Sequence, residues 1–116
     1  MSNAGCYPDK SPKVNRLLHT LSDETRREIV HYFENTSDGQ SATMEELVDY
    51  LATRIPHVDE TQLRTMLWHQ HLPILRERGW VEMDYREDRI RYRGKSEARQ
   101  FLQDLLDEGL MVRRIN

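Results

Sequence analysis

A mainly α domain that closes in a small β-hairpin (α+β) is the fold class this sequence predicts, and three observations predict it. Apolar residues recur at helical spacing through most of the first 78 positions. After Gly79 the period changes from about 3.6 to 2. Residues suited to capping helices stand at Ser22, Thr43, Asp59 and Ser96, each just ahead of a periodic stretch. With 116 residues, 37% hydrophobic and 32% charged, the chain suits one small globular domain with a modest core.

The elements follow in order. Val14, Leu17, Leu18 and Leu21 keep helical spacing up to Ser22, an expected N-cap, with Asp23 and Glu24 suited to the positive end of the next helix. That helix turns Ile29, Val30, Tyr32 and Phe33 inward and dissolves in the turn-forming run of residues 35–39. Thr43 with Glu46 makes a capping box for a third helix, whose Leu47, Val48, Leu51 and Ala52 form one apolar stripe that Pro56 closes. Asp59 with Gln62 repeats the capping logic for a fourth helix, which ends at Gly79. Val81, Met83 and Tyr85 then alternate with Glu82 and Asp84, and Ile90 and Tyr92 alternate with Arg89, Arg91 and Arg93. The expected register pairs Tyr85 with Ile90 and Met83 with Tyr92, which sets Asp84 opposite Arg91 and Glu82 opposite Arg93 as ion pairs. Arg86 and Arg89 then stand at the hairpin tip. Finally, Ser96 caps a last helix with Ala98, Phe101, Leu102 and Leu105 along one side, stopped by Gly109.

The fourth helix poses a problem, because it contains Pro73. An interior proline removes one backbone hydrogen bond and crowds the carbonyl four residues back, His69, at a cost of roughly 3 kcal/mol. Packing of Leu63, Leu67, Leu72 and Leu75 on the buried side is expected to hold the helix, with Pro73 bending it.

Composition excludes several classes of function. No apolar run approaches the roughly 20 residues of a membrane span, and the N-terminus lacks the apolar core of a signal peptide, so a soluble cytoplasmic protein is expected. The single cysteine, Cys6, offers neither a disulfide framework nor a Cys-rich metal site. Met1-Ser-Asn-Ala4 reads as a vector remnant within a disordered tail of residues 1–13. There is no phosphate-binding Gly-rich loop and no recognisable nucleophile–base set, so no enzymatic activity and no cofactor are expected. Charge divides along the chain: residues 22–60 hold three arginines against ten acids, and residues 61–95 hold eight Lys/Arg against five acids. One basic face turned to an anionic partner fits that division.

Helix, helix, short link, helix, helix and two-stranded ribbon is the order of a winged helix-turn-helix with flanking N- and C-terminal helices. Leu21-Ser-Asp-Glu-Thr-Arg-Arg-Glu-Ile29 and His71-Leu-Pro-Ile-Leu-Arg-Glu-Arg-Gly-Trp-Val81 together resemble the winged-helix domains of ArsR-type transcriptional regulators. Those domains open with an LSDxTR pattern and end their recognition helix with HLxxLxExGLV. The His-x-His-Leu-Pro form is closest to a group of small haloarchaeal winged-helix proteins, and fourteen arginines against three lysines are compatible with that archaeal source. The resemblance spans residues 14–95, leaving residues 96–116 as a C-terminal helix and tail.

The resemblance implies a sequence-specific regulator that binds double-stranded DNA. Its recognition helix, about residues 60–78, would lie in the major groove, and its wing, residues 81–93, on the backbone or minor groove. Gln62, Arg64, Thr65, His69 and Gln70 lie outside the core stripe and are of types that reach base edges or phosphates. Arg86 and Arg89 would make the sequence-tolerant wing contacts. Trp68 is expected to pack under the helix rather than stack on a base. ArsR-type dimers join through terminal helices, which implies a homodimer interface at Leu17, Leu18, Phe101, Leu102 and Leu105 and recognition helices roughly 34 Å apart. Many such regulators sense metals, but no cysteine lies in this recognition region and His69 and His71 point to different faces, so no tight zinc site is expected, even with His57 added. The link from Arg54 to Val58 is longer than the usual tight turn. A winged helix that docks proteins through its acidic second and third helices is the competing reading, and no small-molecule effector is implied.

Overall fold

A computed structural model describes residues 11–35 and 40–94, together with residues 100, 103 and 107. The order is α1 (Ser11–Thr20), α2 (Glu24–Asn35), β1 (Ser41–Ala42), α3 (Met44–Arg54), α4 (Glu60–Met66), a π-helical turn (Leu67–His71), α5 (Leu72–Glu77), β2 (Val81–Asp84) and β3 (Arg89–Tyr92). It is a mainly helical α+β fold with a small three-stranded antiparallel sheet. None of the described helices is long and apolar enough to cross a membrane. Of the C-terminal helix, Gln100, Gln103 and Asp107 are helical, whereas Ser96, Phe101, Leu102, Leu105 and Gly109 lie outside the described residues.

Local chemistry sets most boundaries. α1 is described from Ser11 to Thr20. The cap of α2 is Asp23, one residue beyond the expected Ser22: its Oδ1 accepts from the Thr25 amide at 2.8 Å and the Arg26 amide at 3.3 Å. Ser22 instead donates its hydroxyl to the His19 carbonyl at 2.7 Å. The capping box of α3 forms as expected, the Glu46 amide donating to Thr43 Oγ1 (3.1 Å) and the Thr43 amide to Glu46 Oε1 (2.8 Å). Asp59 caps α4 by accepting from the Gln62 amide at 3.1 Å. α5 ends in a Schellman turn: Gly79, at φ 80°, donates to the Arg76 carbonyl, and Trp80 to that of Leu75.

Pro73 is accommodated by a change of helix type. Between Leu67 and His71 the hydrogen bonds widen to i→i−5, the Leu72 amide donating to the Leu67 carbonyl. The α-helix then restarts with Pro73 in its first turn, where its lack of an N–H is harmless. The inward stripe shows the reason. Leu63, Leu67, Leu72 and Leu75 are all buried, yet the step from Leu67 to Leu72 is five residues, which an α-helix at about 3.6 residues per turn would carry off the stripe. The π turn absorbs the extra residue and brings Leu72 back to the core.

The core gathers Leu21, Ile29, Val30 and Phe33 with Leu47, Val48 and Leu51, closed by the Pro73 helix and by Trp80, Val81, Ile90 and Tyr92. The Phe33 and Tyr92 rings stack with centroids 5.1 Å apart, and Tyr92 donates its hydroxyl to Glu34 at 2.6 Å. β1 is an element the sequence reading did not contain. Its two residues pair with β3, Ser41 with Arg91 and Ala42 with Ile90, making a sheet of order β1-β3-β2.

The hairpin register differs from expectation by two residues, with Val81 opposite Tyr92, Glu82 opposite Arg91, Met83 opposite Ile90 and Asp84 opposite Arg89. The loop is therefore Tyr85 to Asp88, and Asp88 takes the left-handed conformation at φ 52° that Asp tolerates better than most side chains. Both expected ion pairs form nonetheless, Arg91 with Asp84 at 3.1 Å and Arg93 with Glu82 at 3.3 Å. The step preserves strand faces, and a diagonal neighbour lies within reach of an arginine.

Helices α2 and α3 are joined by a nearly buried ion pair. Arg54 donates from Nε to Glu28 Oε1 (2.8 Å) and from its terminal nitrogen to Oε2 (3.2 Å), and the Tyr50 hydroxyl donates to the same carboxylate. The hydrogen bond to Glu28 raises the guanidinium pKa above its ordinary value. Glu28→Ala removes the carboxylate that joins Arg54 and Tyr50 to α2 and should lower the unfolding free energy by about 3 kcal/mol in urea denaturation, whereas a loss below about 1 kcal/mol would mean that solvent screens the pair.

Candidate nucleic-acid interface

One buried side chain positions the Pro73 helix, from α4 through the π turn to α5. Arg26, on the first turn of α2, is almost fully buried, and its guanidinium reaches three places. Nε donates to the Thr20 carbonyl at 2.7 Å, and Nη2 to the His19 carbonyl at 3.3 Å, closing the C-terminal end of α1. Nη1 lies 3.1 Å from Nδ1 of His71 in the π turn. Arg27 adds a bond to the Leu21 carbonyl at 2.9 Å, and Arg78, just beyond α5, reaches Thr20 Oγ1 at 2.9 Å and His19 Nδ1 at 2.7 Å.

This contact fixes the state of His71. A guanidinium only donates, so Nδ1 must accept and the ring proton resides on Nε2. Nε2 is buried without a hydrogen bond, and the nearest carboxylate oxygen, Asp23 Oδ1, is 3.8 Å away. Burial pushes the His71 pKa below its ordinary value, Asp23 opposes that shift and Arg26 reinforces it. Burial likewise lowers the pKa of Arg26, against the attraction of Asp23.

The opposite face of the helix is polar and open. Gln62, Thr65, His69 and Gln70 are exposed, and Thr65 donates to the Thr61 carbonyl. Arg64 is engaged, gripping both carboxylate oxygens of Glu45 on α3, which holds the Glu45 pKa below its ordinary value. Trp68 does not pack beneath the helix as expected: it is 46% exposed, because Leu67 and His71 take the inward positions of the π turn and leave positions 68–70 outside. With Met44, Met83 and Tyr85 it lines a shallow hollow between helix and wing. Periodicity offered no signal for this exposure, although the five-residue step between Leu67 and Leu72 marks where it arises.

On the wing, Arg86 sits exposed in the loop, with no ion pair or side-chain hydrogen bond among the described residues. Arg89 lies in β3 rather than at the tip, where its side chain donates to Ser41 Oγ at 3.0 Å and approaches Glu46 at 3.8 Å. Residues 81–93 hold four arginines and four acids, so the surplus of residues 61–95 comes from the helix and Lys95 rather than from the wing. Of the expected dimer residues, Leu17 packs partly against its own core, Leu18 is 44% exposed, and the others lie outside the described residues. His57 is exposed beside Glu24 and His71 is buried, and no three potential metal ligands group together among the described residues.

Residues 18–91 match the family model described as a domain of unknown function, DUF7344. The chain belongs to the DUF7344 family. No curated protein and no solved structure matches it. The DUF7344 match runs from the last three residues of α1 into β3 and so includes both partners of the Arg26–His71 contact.

The depressed His71 pKa has a definite sign for this DUF7344 chain. Between the lowered folded value and about 6.5, the unfolded chain holds a proton that the folded chain does not, so stability rises with pH. The contribution is complete above that ordinary value and lost as pH falls below it. Urea denaturation at pH values above and below the window should show a larger acid loss for wild type than for His71→Gln; equal losses would exclude His71 as the source.

Proposed function

We propose that this chain is a sequence-specific, DNA-binding transcriptional regulator of the winged-helix type, without catalytic activity, acting in the cytoplasm as a homodimer. The observation that carries the reading is the two-sided Pro73 helix. Its apolar side is locked into the core, while Gln62, Thr65, His69 and Gln70 form a solvent-facing polar row on the other side. Gln suits adenine, and Thr and His suit phosphate or base edges. Arg86 supplies a cation on the wing side, where a duplex lying along the helix would bring its backbone. Likeness to ArsR-type regulators, carried by the two sequence motifs, supports the same assignment. Dimerisation through α1 and the C-terminal helix would set two such helices about one DNA turn apart, roughly 34 Å, and favour a palindromic operator.

Arg64 and Arg89 enter this reading in a changed role. Each is already paired with an acid of α3, so contact with phosphate requires exchange of Glu45 or Glu46 for the DNA. That observation also favours a second reading, a protein-docking winged helix. Four arginines of the helix and wing (Arg64, Arg89, Arg91 and Arg93) lie against acids, while Trp68 and Tyr85 stand 46% and 66% exposed, as aromatic anchors of protein interfaces do.

Fluorescence anisotropy of a labelled random-sequence duplex, titrated at low and moderate salt, separates the two. The DNA reading predicts saturable binding that weakens steeply with salt, a salt slope smaller by about 1 in Arg86→Ala, and weaker binding in Gln62→Ala/His69→Ala. Folded protein that binds neither this duplex nor any member of a random-sequence duplex pool at low salt would favour protein docking.

A further inference from the structure

Buried between α2 and the π turn is a histidine with one satisfied and one unsatisfied nitrogen, and the groups around it form two alternative sets of partners. We propose that His71, Arg26 and Asp23 form a proton-operated latch: neutral His71 is held by Arg26, protonated His71 is held by Asp23, and the exchange moves the exposed Trp68-His69-Gln70 segment.

In the neutral state Nδ1 accepts from Arg26 Nη1 at 3.1 Å, and Nε2–H points to no acceptor within reach, with Asp23 Oδ1 at 3.8 Å. A proton arriving at Nδ1 removes the lone pair that Arg26 uses and places a second cation against its guanidinium. Arg26 retains the Thr20 and His19 carbonyls, so it has bonds to keep when the imidazolium is repelled. Asp23 is nearly within hydrogen-bond reach of the ring, and closing less than 1 Å would give Nε2–H a charged acceptor. The charges facing this site come from each neighbouring element: Asp23 and Arg26 from the start of α2, and Arg78 from beyond α5, whose own partners are His19 and Thr20 at the end of α1.

The movement has an outlet. His71 is the last residue of the π turn, whose closing bond runs from the Leu72 amide to the Leu67 carbonyl and whose three middle side chains, Trp68, His69 and Gln70, face solvent. π turns are rare inside α-helices and occur mostly as single turns at functional sites. Displacement of the ring toward Asp23 therefore changes the outer face of the same helix. Binding of DNA is not required for this device, and its test does not depend on it.

The test is a pH titration of the ¹⁵N-labelled full chain followed by NMR between about pH 8 and pH 5, the histidine range. The His71 ring should titrate within this range, below its ordinary value of about 6.5, while the chain remains folded. The amides of Asp23, Arg26, Trp68, His69 and Gln70 should shift with the same midpoint, and the Leu72 amide should exchange several-fold faster below it. Asp23→Asn keeps a capping oxygen for α2 but removes the charge, and should move the midpoint to lower pH. The latch is overturned if the ring titrates without the Trp68–Gln70 amides, if its protonation coincides with global unfolding, if it fails to titrate over the range, or if Asp23→Asn leaves the midpoint in place.

Discussion

The fold turns on the burial of one guanidinium. A charge removed from water is tolerated only where its donors find acceptors, and the Arg26 guanidinium finds them in two parts of the chain: the last carbonyls of α1, those of His19 and Thr20, and Nδ1 of His71 in the Pro73 helix. These contacts fix how α1 meets α2 and where the Pro73 helix lies across both. They also give the two sequence motifs a physical meaning. Arg26 belongs to the first and His71 to the second, so residues 45 positions apart in sequence become one buried contact. Arg27 and Arg78 strengthen the same corner from outside by taking the Leu21 carbonyl and the Thr20 hydroxyl.

The second constraint is the apolar register of the Pro73 helix. Four leucines must reach one core, and their spacing includes a five-residue step just before a proline. An uninterrupted α-helix would leave Leu72 off the stripe and Pro73 against the His69 carbonyl, and the π turn answers both difficulties at one place. The consequence lies on the other side of the helix, where three consecutive side chains, Trp68, His69 and Gln70, emerge at the surface. A packing requirement on the inside thus shapes the face on which any recognition would occur.

Charge is arranged locally rather than by halves. The acidic stretch from Asp23 to Glu60 would repel a phosphate backbone were its acids all free. Yet Glu28 is held by Arg54, Glu45 by Arg64, Glu34 accepts from Tyr92, and Asp23, Glu46 and Asp59 are occupied in capping. The same pairings restrain Arg64 and Arg89, so the acid–arginine contacts between α3 and the Pro73 helix set how much positive charge that helix can offer. Arg86 differs because its loop position puts it beyond the reach of the α3 acids.

The sequence by itself determined the element order, the caps at Thr43 and Asp59, the inward leucines, the end of the helix at Gly79 and the strand faces. Each of these follows from interactions within a few residues or from periodicity, which a linear pattern carries. The ion pairs of Arg91 and Arg93 were legible too, since strand faces survive a shift that keeps parity. Only the tertiary structure decided the rest. The hairpin step depended on a loop whose length the polar run did not define, and β1 is two residues long, too short for a period and formed only because β3 offers it an edge. The capture of Arg64 by Glu45 and of Arg89 by Ser41 joins residues 19 and 48 positions apart. The exposure of Trp68 and the burial of His71 were settled together, because the core demanded Leu72 and the helix widened by one residue to deliver it.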